Sequence, residues 1–280
     1  MNILFLLLTI LGSPPVIDLP IVSVEEGVYK KTISRWQKNL DIYVDEPSIT
    51  LIKKMGIRDR KHLNGSRDYI IWMPSGVVEP CELSCPAKTI GIVWFHGHTG
   101  FSDRTFRERI LKQFAQHYEK NFFIVIPEMP WSWNTSTRTK RNGLIWTKPG
   151  EFISFIEKVK ADVSALGVRD NIDWRVVGHS AGGSTIATVG STGDLCQLKP
   201  SRIIWSDSTY GWWLEKANKG CLQDFKTDVY VTHWKSKTNI AASRFVKTHR
   251  GRNTTMHTTK FPHLKIGDNI VKLSGVLNDN

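Results

Sequence analysis

Acidic side chains are in short supply in this chain, apolar runs are brief and cysteine is sparse. Asp and Glu number 26 against 38 Lys and Arg in 280 residues, a formal net charge of +12 with neutral histidine. That excess argues against a cationic partner and for an anionic surface or polymer, although no dedicated nucleic-acid motif accompanies it. The one marked apolar run, Ile3 to Leu11, is far short of the roughly 20 residues a membrane-crossing helix needs, so no transmembrane span is expected. Gly12 and Ser13 follow it, and residues 1–12 read as a signal peptide even though no basic side chain precedes the run. The protein is therefore expected to be secreted or periplasmic. Four cysteines are too few for a disulfide scaffold, and none stands at zinc spacing from a second Cys or His couplet. The economical pairing of the three possible is Cys81 with Cys85 and Cys196 with Cys221, which agrees with export. Repeats, low-complexity tracts and Gly/Ser linkers are also lacking, and this leaves one large domain with a change of texture near residue 66.

What is present is an ordinary globular composition, 40% hydrophobic and 10% aromatic, enough for a sizeable core. Residues 13–66 read as an N-terminal extension in which KKTISRWQKNLDIYV and ITLIKKMGIRDRKHL show loose helical spacing. Over 67–280 the texture becomes short β-branched and aromatic runs separated by amphipathic stretches, which predicts an α/β domain around a mostly parallel sheet. Strands are predicted at Tyr69 to Met73, Ile90 to Phe95, Phe122 to Ile126, Trp174 to Val177, Arg202 to Trp205, Val229 to His233 and Thr255 to Phe261. Their runs lack alternation, as strands covered on both faces do. Helices are predicted from Asp103, where Phe106, Ile110, Phe114 and Tyr118 form one stripe, and from Pro149, a residue suited to a first helical turn.

The chemistry gathers around Gly178-His179-Ser180-Ala181-Gly182, directly after a buried-type strand and before a small-residue helix. A strand-to-helix turn this tight holds the serine in a strained conformation, and glycines two residues to either side let the two backbones pass. Upstream, a strand ends at His96-Gly97-His98. A tetrahedral intermediate of acyl transfer needs two fixed N–H donors, one from Ala181 and one from this loop, at His98 or Gly97. Zinc ligation by His96 and His98 is the competing reading, but no HExxH or carboxylate couplet completes it.

The order of strand, HG loop, helix, strand, helix, strand, GHSAGG and helix resembles the α/β-hydrolase fold over roughly residues 68–275, with helices on both faces of the sheet. That resemblance implies a nucleophile, acid, histidine order along the chain, with no cofactor. Ser180 is then the nucleophile. Of His233, His249, His257 and His263, the last fits the base best, because it follows Pro262 in the loop after the final predicted strand. His179 is expected to pack beneath the nucleophile rather than serve it. The loop that commonly carries the acid, after Val229 to His233, contains no Asp or Glu, so the acid is placed one strand earlier at Asp207. Asp194, Asp224, Asp228 and Asp268 sit too early, at the wrong edge or out of order. Trp131 with Trp133, and Trp212 with Trp213, follow strands at the carboxyl edge and are candidates to roof the substrate cleft, with ordinary packing the alternative. The function expected is cleavage of a small-molecule or polymer ester or amide through an acyl-enzyme, an ester before a peptide. Peptidase or amidase action on cell-wall peptides and a non-catalytic binding protein on the same fold are the alternatives.

Overall fold

The computed structural model describes residues 28–32, 40–45, 48–53, 69–74, 77, 88–97, 109–128, 131–134, 139–142, 146–249 and 253–278. The seven predicted strands are all present: β4 (Tyr69–Pro74), β5 (Thr89–Phe95), β6 (Phe122–Pro127), β9 (Ile172–His179), β10 (Arg202–Ser206), β11 (Lys226–Thr232) and β12 (Thr254–Thr259). They lie in the order β4-β6-β5-β9-β10-β11-β12. From β6 to β12 every neighbouring pair is parallel, and β4 runs antiparallel to β6.

The central strands are buried along almost their whole length, the physical counterpart of their unbroken apolar runs. Alternate residues feed two cores. Val93, Phe95, Val176, Ile203 and Trp205 meet helix α2 (Glu151–Ala165) through Phe152, Phe155, Ile156 and Val159, together with Ile186 and Val189 of α3 (Gly182–Ser191). Ile92, Trp94, Ile124, Val177 and Ile204 face the opposite way, onto Phe114 of α1 (Leu111–Phe114) and residues Ile266, Ile270 and Val271 near the C-terminus.

The stretches with loose helical spacing contain strands instead. β1 (Val28–Thr32), β2 (Leu40–Asp45) and β3 (Ser48–Lys53) form an antiparallel series, and β3 pairs with β4 from Ser48 opposite Pro74 to Lys53 opposite Tyr69. β1 to β3 thus belong to the same sheet as β4. In β2, Leu40, Ile42 and Val44 alternate with Asp41, Tyr43 and Asp45, a two-residue period that decides for strand.

Of the helix predicted from Asp103, residues 103–108 lie outside the described residues, and from residue 109 one wider turn leads into α1, which ends at Phe114. Helix α2 starts at Glu151, later than Pro149, because Asp194 accepts hydrogen bonds from the backbone N–H groups of Gly150 (2.7 Å) and Phe152 (2.8 Å) and fixes the first turn there. Cys196, on α4 (Asp194–Leu198), is bonded to Cys221, whereas Cys81 and Cys85 lie outside the described residues. Among the described residues no helix is long and apolar enough to cross a membrane.

Candidate active site

Strand β9 ends at His179 and α3 begins at Gly182, so the chain reverses within two residues. Ser180 absorbs the reversal with φ 53°, a left-handed conformation that costs a side-chain-bearing residue energy. The surrounding glycines are obligatory. A Cβ on Gly182 would collide with the carbonyl of Phe95 at the end of β5, and one on Gly183 with the carbonyl of Ser208 beyond β10. The turn is wedged between two strand ends, and Ser180 N–H is tied to the Ser206 carbonyl at 3.2 Å.

Asp207 is the first residue past β10 and is also left-handed, with φ 46°, its N–H bonded to the Tyr230 carbonyl at 2.7 Å. That bend turns its carboxylate along the sheet edge. One oxygen is 2.6 Å from His263 Nδ1, and the other accepts the hydroxyl of Thr238, which is itself 2.8 Å from the Ser236 hydroxyl. Ser236 caps α6 (Lys237–Thr248) by accepting from Asn239 N–H. His263 opens α7 (His263–Asp268) directly after Pro262, and its Nε2 is 2.9 Å from Ser180 Oγ. The carboxylate can only accept, so the imidazole hydrogen sits on Nδ1 and bare Nε2 accepts from the serine hydroxyl. Ser180, His263 and Asp207, separated by up to 83 positions in sequence, are brought into one hydrogen-bonded line.

His179 lies buried beneath this line, its ring stacked on His263 at 5.0 Å and its Nδ1 3.2 Å from an Arg109 guanidinium nitrogen. Burial first, then the charge of Arg109, holds its pKa well below the ordinary 6.5, so it stays neutral as a packing group. Arg109 is in turn 3.6 Å from Asp268. The backbone at Gly97 presses on Ser180: a Cβ there would lie 3.0 Å from Ser180 Cβ. Ala181 stands at the N-terminus of α3, where the helix dipole favours negative charge. His98 lies outside the described residues. His96 is buried, with Nδ1 3.0 Å from the Gly97 carbonyl, and burial lowers its pKa to about 4. Among the described residues no three His, Cys, Asp or Glu side chains converge to hold a metal ion.

The competing residues have other partners. His257 bonds Asp228 at 2.7 Å, and Asp228 also accepts from Arg202 at 2.6 Å. His249 caps α6 through the Phe245 carbonyl, and His233 bonds the Thr259 carbonyl. Trp131 and Trp133 stand on β7 (Trp131–Asn134), paired with β8 (Thr139–Asn142). The second tryptophan pair diverges: Trp213, which opens α5 (Trp213–Asn218), packs edge-on against Tyr210 at 5.3 Å, while Trp212 is exposed with the Arg244 guanidinium 3.6 Å over its ring.

Two participants carry no mark in the sequence reading. Tyr210 stands beside the site, its ring edge-on to His263 at 6.5 Å, and burial raises its pKa above the ordinary 10, so the phenol stays protonated. Its position three residues past Asp207, in the same loop, is the one signal that could have found it. Thr238 comes from the first turn of α6 and has no local signal at all.

No protein-family model matches the chain, and no curated protein matches it in sequence. Solved structures do resemble it. FphF, a fluorophosphonate-binding serine hydrolase of Staphylococcus aureus, superposes with a TM-score of 0.53 at 12% identity over 83% of this chain and 98% of its own. A ferulic acid esterase gives 0.53 at 14% identity over 82% and 97%. The S-formylglutathione hydrolase FrmB of Staphylococcus aureus gives 0.51 at 12% identity over 82% and 98%. At such identities the likeness is one of backbone architecture, and with the strand order and the Ser180 turn it establishes that this chain has the α/β-hydrolase fold.

Proposed function

We propose that the protein is a serine hydrolase that cleaves a carboxylic ester through an acyl-enzyme. The observation that carries this reading is the line from Asp207 through His263 Nδ1 at 2.6 Å and from His263 Nε2 to Ser180 Oγ at 2.9 Å. Ser180 Oγ attacks the ester carbonyl while His263 Nε2 takes its proton, and buried Asp207 stabilises the imidazolium that forms. The negative oxygen of the tetrahedral intermediate is held by the N–H of Ala181 and by a donor of the loop after β5, at Gly97 or His98. The imidazolium then protonates the departing alcohol. Water, activated by the same imidazole, releases the acid and restores Ser180. Chemistry of this kind uses no cofactor.

An ester is preferred to an amide because the structural neighbours include a ferulic acid esterase, and an S-formylglutathione hydrolase stands beside it. The Cys196–Cys221 bridge supports action outside the cytoplasm, in keeping with residues 1–12 as a signal peptide. A fluorophosphonate probe is expected to label Ser180, and Ser180→Ala to abolish both labelling and turnover at unchanged melting temperature. A folded protein that resists the probe would give the binding-protein reading the lead. A panel of p-nitrophenyl esters and peptide anilides separates esterase from peptidase.

A further inference from the structure

Five large apolar side chains are 40% to 65% exposed among the described residues: Trp212, Trp234, Ile240, Phe261 and Leu264. Singly such residues are ordinary, but all five follow the carboxyl ends of β10, β11 and β12, the sheet edge at which His263 also stands. Their supports connect them. Trp234 stacks on His233 at 4.2 Å, His233 N–H bonds the Thr259 carbonyl at 2.8 Å, and Phe261 N–H bonds the Thr259 hydroxyl at 3.2 Å. Leu264 directly follows His263. Ile240 lies one turn before Arg244 on α6, and Arg244 lies over Trp212.

Charge is distributed in the same place. Between Asp228 and Asp268 the sequence holds eight Lys or Arg and no Asp or Glu, which is eight of the net twelve positive charges in 39 residues. Exposed Lys235, Lys237, Lys260 and Lys265 are interleaved with the apolar tips as Trp234-Lys235, Lys260-Phe261 and Leu264-Lys265. The nearby acid Glu215 is spent on Arg244, at 2.7 Å.

We propose that this belt docks the protein onto an anionic lipid bilayer, with the mouth of the Ser180–His263 site facing the lipid. Apolar tips between cations match the two layers of such a surface, acyl chains below anionic headgroups. A soluble polyanion would engage the lysines yet leave Ile240, Phe261 and Leu264 in water, so it accounts for half of the pattern.

The full chain is sedimented with vesicles of phosphatidylcholine containing phosphatidylglycerol, and with phosphatidylcholine alone. Binding to the anionic vesicles is expected, weakening steeply with added salt and on neutral vesicles. The double variant Trp234→Ser with Ile240→Ser is expected to lower partitioning at least about tenfold, by removing two inserted side chains. Lys235→Glu with Lys237→Glu is expected to lower it at least about twentyfold, some fivefold or more for each lysine near the headgroups. Both variants should keep wild-type fluorophosphonate labelling, which excludes misfolding, and Ser180→Ala should bind vesicles as well as wild type, which separates docking from the hydrolase reading. Absence of binding to anionic vesicles would overturn the proposal. So would binding that the Trp234 and Ile240 changes leave intact, because adhesion would then be that of a polyanion site.

Discussion

Replacing Asp207 by asparagine keeps the volume and suits the left-handed backbone, since asparagine tolerates a φ near 46° as readily as aspartate. What changes is charge and donor pattern. Carboxylate and imidazolium face each other through a 2.6 Å hydrogen bond in a buried setting, which puts their charge centres about 4 Å apart and their attraction near 4 kcal/mol at an effective dielectric of about 20. Losing it raises the barrier for proton transfer from Ser180 by a similar amount, about a thousandfold in rate. Orientation adds to the defect. The Thr238 hydroxyl donates to the far carboxylate oxygen, so the amide places its oxygen there and its NH2 against His263. Nδ1 must then accept, the imidazole hydrogen moves to Nε2, and it points at the Ser180 oxygen it should deprotonate. The expected outcome for Asp207→Asn is a kcat lower by at least about a hundredfold on a p-nitrophenyl ester, with little change in melting temperature. A variant retaining kcat within about tenfold of wild type would refute the assignment of Asp207 as the acid.

Two further outcomes follow from the site. Tyr210→Phe removes a protonated phenol hydroxyl beside Ser180 and His263 and is expected to lower kcat about five- to tenfold while Ser180 still takes the fluorophosphonate; an unchanged kcat would show that the phenol only packs. Stability should fall as pH drops from 7 to 5, because buried His96 and His179 have folded pKa values below 6.5 and the unfolded chain binds more protons in that window. Each contributes stability that is complete above pH 6.5 and is lost at up to about 1.4 kcal/mol per pH unit below it, and His96 levels off near pH 4. Urea unfolding at pH 7, 6 and 5 reads the slope, and a flat profile would mean that these imidazoles are not buried neutral.

The parts of the fold that sequence made legible are those whose burial is two-sided. TIGIVWF, FFIVIP and RIIWS are too apolar for anything but a central strand, and the glycines of the Ser180 turn declare their own geometry. Asp207 could be found because it ends such a run. The antiparallel strands β1 to β3 were obscured by Lys30, Lys31 and Lys53, whose spacing beside apolar residues imitates a helical stripe over a short window. Thr238 and Arg109 were not legible because each acts on a residue far away in sequence, Thr238 on Asp207 and Arg109 on His179, and nothing local records such a contact.

Ser180 and Asp207 are left-handed at the ends of the adjacent parallel strands β9 and β10, and neither is glycine. On the proposed hydrolase function, selection for folding and selection for turnover therefore pull these two positions in opposite directions. In a library randomised at position 180 and sorted only for resistance to unfolding, glycine would rise, since it relieves strain of order 1 kcal/mol. Sorted for ester cleavage, the same library would return serine. The most stable members of such a library would thus lack the proposed nucleophile, and a stability-guided redesign of the chain should hold both positions fixed from the outset.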